Sequence, residues 1–407
     1  MRNANDGVSD HGEVTEAARR PVTSLYVHVP FCRRRCDYCD FYSIAAPDER
    51  AVGRWFDTVL YELLRWADEA AVHRVATAPL ETIYFGGGTP SFVAPEMIAE
   101  IIAAARRRFG LARGAEITME ANPESSCNRQ TMRRWRKAGV TRWSLGVQSM
   151  DDRCLAEIGR CHTVDDVHRA LTYAADAGFE HLSFDVMTGL PGQTTDDIAH
   201  ILELVARYPI DHVSAYALTI APGTPMAERR RTCPVCFPDD AVERAMTHAL
   251  IAGLRARGFE HYEISNFAKP GARSRHNTVY WRADPYMAVG PAASSYAGGV
   301  RRTHPASLDR WIEHVHRPDG GPYAAATIDE RVDEAAARVE TVLLGFRLSD
   351  GVSRTRFRAR HGVAFDELFS DKLRPMIRRG LVEDDGETVR LTEHGLDFAD
   401  VVARAIL

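Results

Sequence analysis

Three cysteines in one short loop constrain this chain more than any other feature. The stretch Ser24 to Ser43 reads SLYVHVPFCRRRCDYCDFYS: an apolar run, a proline, then Cys32, Cys36 and Cys39 spaced C-x3-C-x2-C. Thiolates are soft ligands that suit iron–sulfur clusters and zinc. A fully protein-ligated [4Fe–4S] cluster takes four cysteines. This loop supplies three, and Phe41 rather than a fourth Cys follows them. One iron of such a cluster is left open for a small ligand, and an open position on a metal centre speaks for chemistry. The other reading of the same residues is a zinc loop completed by a distant His or Cys. The spacing and the flanking strand match the iron reading better.

With 407 residues, the chain is long enough for one large α/β barrel and a smaller domain. Its formal net charge of −5 gives no whole-protein case for nucleic acid. No apolar run approaches bilayer length. Residues 1–22 mix Asp6, Asp10, Glu13 and Glu16 with Arg19 and Arg20 and have no apolar core. They read as a disordered tail and not as a secretory signal. Eight cysteines in a chain of this length do not suggest a disulfide scaffold. A cluster with an open iron needs a reduced compartment, so the expected location is the cytoplasm.

Along the chain, apolar strands alternate with helical patterns. Six strands and six helices are expected before Gly258, the rhythm of a parallel β/α array. Polar residues stand at the strand ends: Glu120 in EITMEANPE, Gln148 in TRWSLGVQS, Asp185 in HLSFDVMTGLPGQ. Catalytic residues gather at that end of β/α barrels. The rhythm alone leaves a closed barrel, an open barrel and a flat sheet all possible. From Phe259 the chain turns aromatic and Gly/Pro-rich, with no clear helix; its Tyr and Trp density argues for an ordered, packed segment. Residues from Ile328 onward read as helices, a hairpin with Gly386 at its turn, and a final helix, similar to a winged helix. Arg354, Arg356, Arg358 and Arg360 there read as a solvated face rather than a DNA surface.

The cysteine loop, with Tyr26, His28 and Pro30 before it and Asp40 and Phe41 after it, resembles the signature of the radical S-adenosylmethionine (SAM) enzymes. In particular it resembles the family of oxygen-independent coproporphyrinogen oxidase and its haem-chaperone relatives (HemN and HemW types). The resemblance runs from about Leu25 to the C-terminus. It implies an α/β fold: a partial (β/α)6 barrel over 23–258, an irregular extension over 259–325 and a small winged-helix-like α+β domain over 326–407. It further implies a [4Fe–4S] cluster on Cys32, Cys36 and Cys39, with one or two SAM molecules. Gly86, Gly87, Gly88 and Thr89 match the family's GGGTP segment at the amino group of SAM. Tyr26, Glu120, Gln148, Arg160 and Asp185 match other SAM-contacting positions. Carboxylates suit cations and ribose, and Arg suits a carboxylate. Within HNTVYW, His276 matches the residue proposed to bind haem in the chaperones.

The chain also departs from that family. Ser294 stands where a His is expected, and Ala221 and Thr188 replace common Glu and Tyr or His. These departures raise a second reading, a class C radical SAM methyltransferase or cyclopropanase acting on an aromatic small molecule or peptide. A reductant such as flavodoxin or ferredoxin is the expected partner in either case. Cys233 and Cys236 form an extra C-P-V-C pair, which two thiols alone cannot turn into a metal site; a reduced loop pair is expected.

Overall fold

Period-two alternation along the strands sets the shape of the scaffold. The computed structural model describes residues 20–125, 128–317 and 326–407. The tail expected over 1–22 therefore lies outside the described residues up to 19, as do residues 318–325 of the extension. Six parallel strands are Val22–Val29 (β1), Thr77–Gly87 (β2), Leu111–Ala121 (β3), Arg142–Gln148 (β4), His181–Thr188 (β5) and His212–Ala217 (β6). Successive side chains point to opposite faces. One face carries Leu25, Val27, Ile83, Phe85, Ile117, Met119, Trp143, Leu145, Phe184 and Val186, all in the main core. That core is shared with the apolar sides of helices Glu49–Val72 (α1), Pro95–Phe109 (α2), Arg129–Ala138 (α3), Val164–Ala177 (α4), Asp197–Arg207 (α5) and Asp240–Arg255 (α6).

The opposite face is polar. Strand register lays its residues in rows: Tyr26 beside Tyr84, Tyr84 beside Thr118, Thr118 beside Arg142. One step further along run Glu120, Ser144, Ser183 and His212. A parallel sheet sandwiched between helix layers is apolar on both faces; here the polar face curls inward, as an open partial barrel.

The extension after Phe259 supplies both edges of this sheet. Glu260–Glu263 (β7) and Asn266–Ala268 (β8) add antiparallel beyond β6, and Met287–Val289 (β9) adds parallel beside β1. A covered edge cannot template pairing with another chain. The sequence reading has no seventh parallel strand, because three residues are too few to show a period. It also expects no helix here, yet Arg275–Trp281 (α7) is one. Ser274 caps it by accepting from the Asn277 amide, and Glu116 accepts from the Arg275 and His276 amides at 3.3 and 3.1 Å. A carboxylate against a helix N-terminus is favourable, and this one reaches α7 from β3.

A second core holds Val342, Phe357, Phe365, Phe369, Leu373, Val389 and Val402. It joins helices Glu334–Gly345 (α8), Arg354–His361 (α9) and Phe365–Arg378 (α10) to a three-stranded sheet whose hairpin turns at Gly386, φ 91°. The alternating arginines lie on helix α9, and Arg354 is held by Asp366 and Asp384. Cys233 and Cys236 are joined as a disulfide, not the reduced pair expected: a single 3-10 turn at Pro234 sets their Cα atoms 5.5 Å apart, within disulfide reach. Among the described residues no helix is long and apolar enough to cross a membrane.

Glu116 is the joint between scaffold and extension. It is buried, pairs with buried Arg142 at 3.1 Å and holds α7. Glu116→Ala strands the Arg142 charge, and the expected loss of stability is about 3–5 kcal/mol. The denaturant midpoint measures it, with Glu116→Gln losing less.

Candidate cluster and cofactor site

The cysteine loop is closed at its base by backbone pairing. Phe31–Cys32 pairs with Ile44–Ala45, and the Ala46 amide donates to the Cys32 carbonyl at 2.9 Å. Cys32, Cys36 and Cys39 are half-buried free thiols. Two donors aim at their sulfurs: the Thr89 hydroxyl at Cys32 Sγ and Arg160 Nη1 at Cys36 Sγ, each at 3.5 Å. Burial above all pushes the Cys32 and Cys39 thiols up. A bound cation reverses that, since a coordinating thiol is deprotonated outright. The donor set fits a [4Fe–4S] cluster: soft sulfur ligands with hydrogen-bond donors on the sulfurs. The zinc reading asks for a further ligand from elsewhere in the chain.

Thr89 and Arg160 are themselves held by Asn122, which the sequence places at the strand end with Glu120 but assigns no role. Asn122 Nδ2 donates to Thr89 Oγ1 at 3.1 Å, and its Oδ1 accepts from Arg160 Nη2 at 2.8 Å. Arg160 Nη2 also donates to the Gly146 carbonyl at 2.7 Å. Arg160 thus ties the cluster loop to the ends of β3 and β4, and its buried Nε has no partner. The glycines are required by close packing. A Cβ on Gly87, whose φ is 110°, would stand 2.5 Å from the His28 ring, and one on Gly88 2.8 Å from the Phe31 carbonyl. The Gly87 amide donates to Glu120 Oε2 at 3.2 Å.

Glu120 also accepts from the Tyr84 hydroxyl at 2.6 Å. Its enclosure, followed by the neighbouring Asp185 charge against those two donors, raises its carboxyl to about 7. Asp185 accepts from Ser144 at 3.2 Å, and burial raises it to about 6 despite the Ser214 and Ser144 hydroxyls. Both carboxyl groups line one small polar cavity of about 40 Å³, together with Ser214 and Tyr216. Gln148, at the end of β4, takes a φ of 66°, a strained conformation for a residue with a side chain and one that clusters at functional sites. Tyr26 stacks near Tyr84, ring centres 6.1 Å apart, with its hydroxyl 3.1 Å from His28 Nδ1.

His276 is buried, and both ring nitrogens are occupied. Nδ1 lies 2.7 Å from Thr82 Oγ1 and Nε2 2.8 Å from the Tyr280 hydroxyl, with the ring stacked on Tyr84. Burial holds its pKa down at about 3, so the imidazole is neutral. It lines a cavity of about 310 Å³ with Tyr26, Tyr84, Glu120, Glu263 and Arg347. An iron reaches His276 only by displacing Tyr280 or Thr82. The structure therefore brings Tyr26, Glu120 and His276 to one cavity and Asp185 to the next beside Glu120. The glycines and Thr89 reach the cysteine loop, whereas His276 sits further back along the strands, at the row of Thr82 and Glu116. The residues left without a role, Tyr84, Asn122, Ser144 and Ser214, are the partners of those found. For Tyr84, Ser144 and Ser214 the available signal was a polar residue at every second strand position.

Comparison with known proteins follows the same lines. The radical SAM superfamily model matches residues 26–205, and the HemN C-terminal domain model matches residues 332–398. Heme chaperone HemW of Mycobacterium tuberculosis (strain H37Rv) is 35% identical over 388 residues, covering 94% of this chain and 94% of its own. Heme chaperone HemW of Bacillus subtilis is 31% identical over 390 residues, covering 95% and 99%. Among solved structures, coproporphyrinogen III oxidase (HemN) from Escherichia coli, a radical SAM enzyme, matches with a TM-score of 0.81 at 21% identity, over 96% of this chain and 92% of that one. At that identity the likeness speaks for the fold.

Anaerobically reconstituted protein is expected to hold about four iron and four sulfide per chain. Cys36→Ala should lose most of both in elemental and sulfide analysis. Full iron retention with Cys32, Cys36 and Cys39 all replaced would reject the assignment.

Proposed function

The chain belongs to the radical SAM superfamily, in its HemN and HemW family, and from that premise we propose that it binds haem and hands it to an acceptor as a haem chaperone. The observation that carries this is the likeness to heme chaperone HemW over nearly the whole of both chains. Phe41 in place of a fourth cysteine and the HNTVYW segment point the same way. The methyltransferase reading rested on Ser294, Ala221 and Thr188. None of them lines the cavity around His276 and Glu120. Ser294 instead bonds Thr303 at 2.5 Å in a neighbouring hairpin, and Thr188 is buried.

In this reading Cys32, Cys36 and Cys39 hold the cluster, and Thr89 and Arg160 place donors on its sulfur shell. A [4Fe–4S] cluster supplies electron transfer to the sulfonium of SAM. Glu120 and Asp185 are enclosed carboxyl groups whose pKa values stay raised although Arg160 acts on Asp185 and Arg142 lines their cavity, and they suit an ammonium and ribose hydroxyls. Tyr84 walls the same space, and Tyr26 lines the adjoining cavity with Glu120. Arg33, Arg34 and Arg35 are exposed beside the cluster. They suit an acidic electron donor such as flavodoxin or ferredoxin, since complementary charge speeds encounter.

The carboxyl groups give SAM binding a pH signature. Raised pKa values mean both are neutral in acid, and a bound cation favours the ionised form. Affinity for SAM is expected to fall as pH drops through about 7 and then 6, by up to about tenfold per proton per pH unit. Calorimetric titration between pH 5.5 and 8 measures the slope. Glu120→Gln should bind more weakly at pH 8 and lose part of the slope; an unchanged profile would remove Glu120 from the site.

Haem binding tests the function itself. Purified protein is expected to take up about one haem per chain with a shifted Soret band. Anaerobic incubation with SAM and reductant should yield no S-adenosylhomocysteine. An absence of saturable haem uptake would overturn the chaperone reading.

A further inference from the structure

Helix α7 presents its two ends to two different spaces. Its first turn puts His276 on the cavity shared with Tyr84 and Glu120. Its last residue, Trp281, also lines a larger cleft of about 430 Å³ between the extension and helices α8 and α9 of the C-terminal unit. That volume is within the range of about 300–1,000 Å³ typical of small-molecule sites.

The cleft joins aromatic surface to an excess of positive charge. Trp281 supplies the aromatic surface, and Arg20, Arg282, Arg356 and Arg360 the charge. Its two carboxylates are already engaged: Asp284 by Arg20 and Arg360, and Asp350 by Arg273 at 2.9 Å. Arg282 and Arg356 are both exposed in the cleft, and Arg282 adds its charge to those already acting on Asp284. Trp281 Nε1 and Arg360 Nε are buried donors with no partner. The lining thus sets four guanidinium groups against two carboxylates, beside the Trp281 ring. The cavity at His276 has the opposite balance, with Glu120 and Glu263 against Arg347. A flat apolar ligand bearing two carboxylates is favoured in the first space and repelled from the second.

We propose that this cleft is where the chain docks haem, with the macrocycle against Trp281 and the two propionates on Arg282 and Arg356. The proposal rests on the haem-chaperone reading above and adds the place and the chemistry of recognition. No His, Cys, Met or Tyr lines the cleft, so the ligand is held by its acids and its ring, not by its iron. Retention without an iron ligand suits a carrier that must release its cargo.

The test uses full-length protein titrated with haem, with metal-free protoporphyrin IX and with the dimethyl ester of protoporphyrin, followed by absorbance and tryptophan fluorescence. Haem and metal-free porphyrin should bind with affinities within about threefold of each other. The double variant Arg282→Ala, Arg356→Ala should weaken both by about tenfold or more, as loss of charged hydrogen bonds implies. Both positions are exposed, so an unchanged circular dichroism spectrum is expected. The ester should bind wild type weakly and not respond to the double substitution. His276→Ala should leave metal-free porphyrin binding unchanged. If haem binds, metal-free porphyrin does not, and His276→Ala abolishes uptake, the chaperone reading stands and the cleft falls. Wild-type affinity in the double variant also sinks the cleft. If neither porphyrin binds, both readings fall together.

Discussion

The structure depends on a sheet with one apolar and one polar face. The apolar residues of β1 to β6 alternate with Tyr, Ser, Thr, Glu, Asp, Arg and His, and register aligns these into rows across the strands. Burying such a face under a second helix layer would strand many polar groups at a cost of about 1–3 kcal/mol each. Curling the face inward lets the groups satisfy one another: Tyr84 with Glu120, Ser144 with Asp185, Ser183 with His212. The partial barrel follows from that accounting. So do two enclosed acids that hydroxyl and amide donors satisfy without neutralising.

The cluster loop is coupled to this face by hydrogen bonds rather than by apolar packing. Asn122 sits between Thr89, which points at Cys32, and Arg160, which points at Cys36. Asn122 lies two residues beyond Glu120, at the same strand end. Any movement of β3 is therefore felt by the sulfur donors and by the acid site together. Geometry of this kind holds a cofactor and its partner in fixed relation, which is what preorganised sites require.

Much of this was legible in the sequence. Cys32, Cys36 and Cys39 announce themselves by local spacing, and Glu120, Gln148 and Asp185 by their place at strand ends. The open barrel was legible too, in the alternation of EITMEANP, RWSLGVQS and HLSFDVMT, but counting strands without their polar faces left it undecided. Other features could not be read. Helix α7 has seven residues and β9 has three, too few for a period to emerge. Each is stabilised from far along the chain, α7 by Glu116 and β9 by pairing with β1. The role of Asn122 likewise depends on partners at positions 89 and 160. The disulfide of Cys233 and Cys236 rests on one tight turn, which composition does not reveal.

HNTVYW shows why a motif is better read by face than as a unit. At 3.6 residues per turn its first and last side chains point about 140° apart; both border the His276 cavity, and Trp281 alone also borders the arginine-rich cleft. His276 is neutral, buried and bonded at both nitrogens, next to acids. Removing it from that network leaves Thr82 and Tyr280 without their partner. Trp281 carries the Arg347 guanidinium over its ring at 4.2 Å and borders a space with more arginines than carboxylates. A ligand with negative groups is drawn to the Trp281 end, while the His276 end keeps the helix seated on β2 through Thr82 and Tyr84. Electrostatic balance, more than the identity of any one side chain, divides the helix into an anchoring end and a binding end.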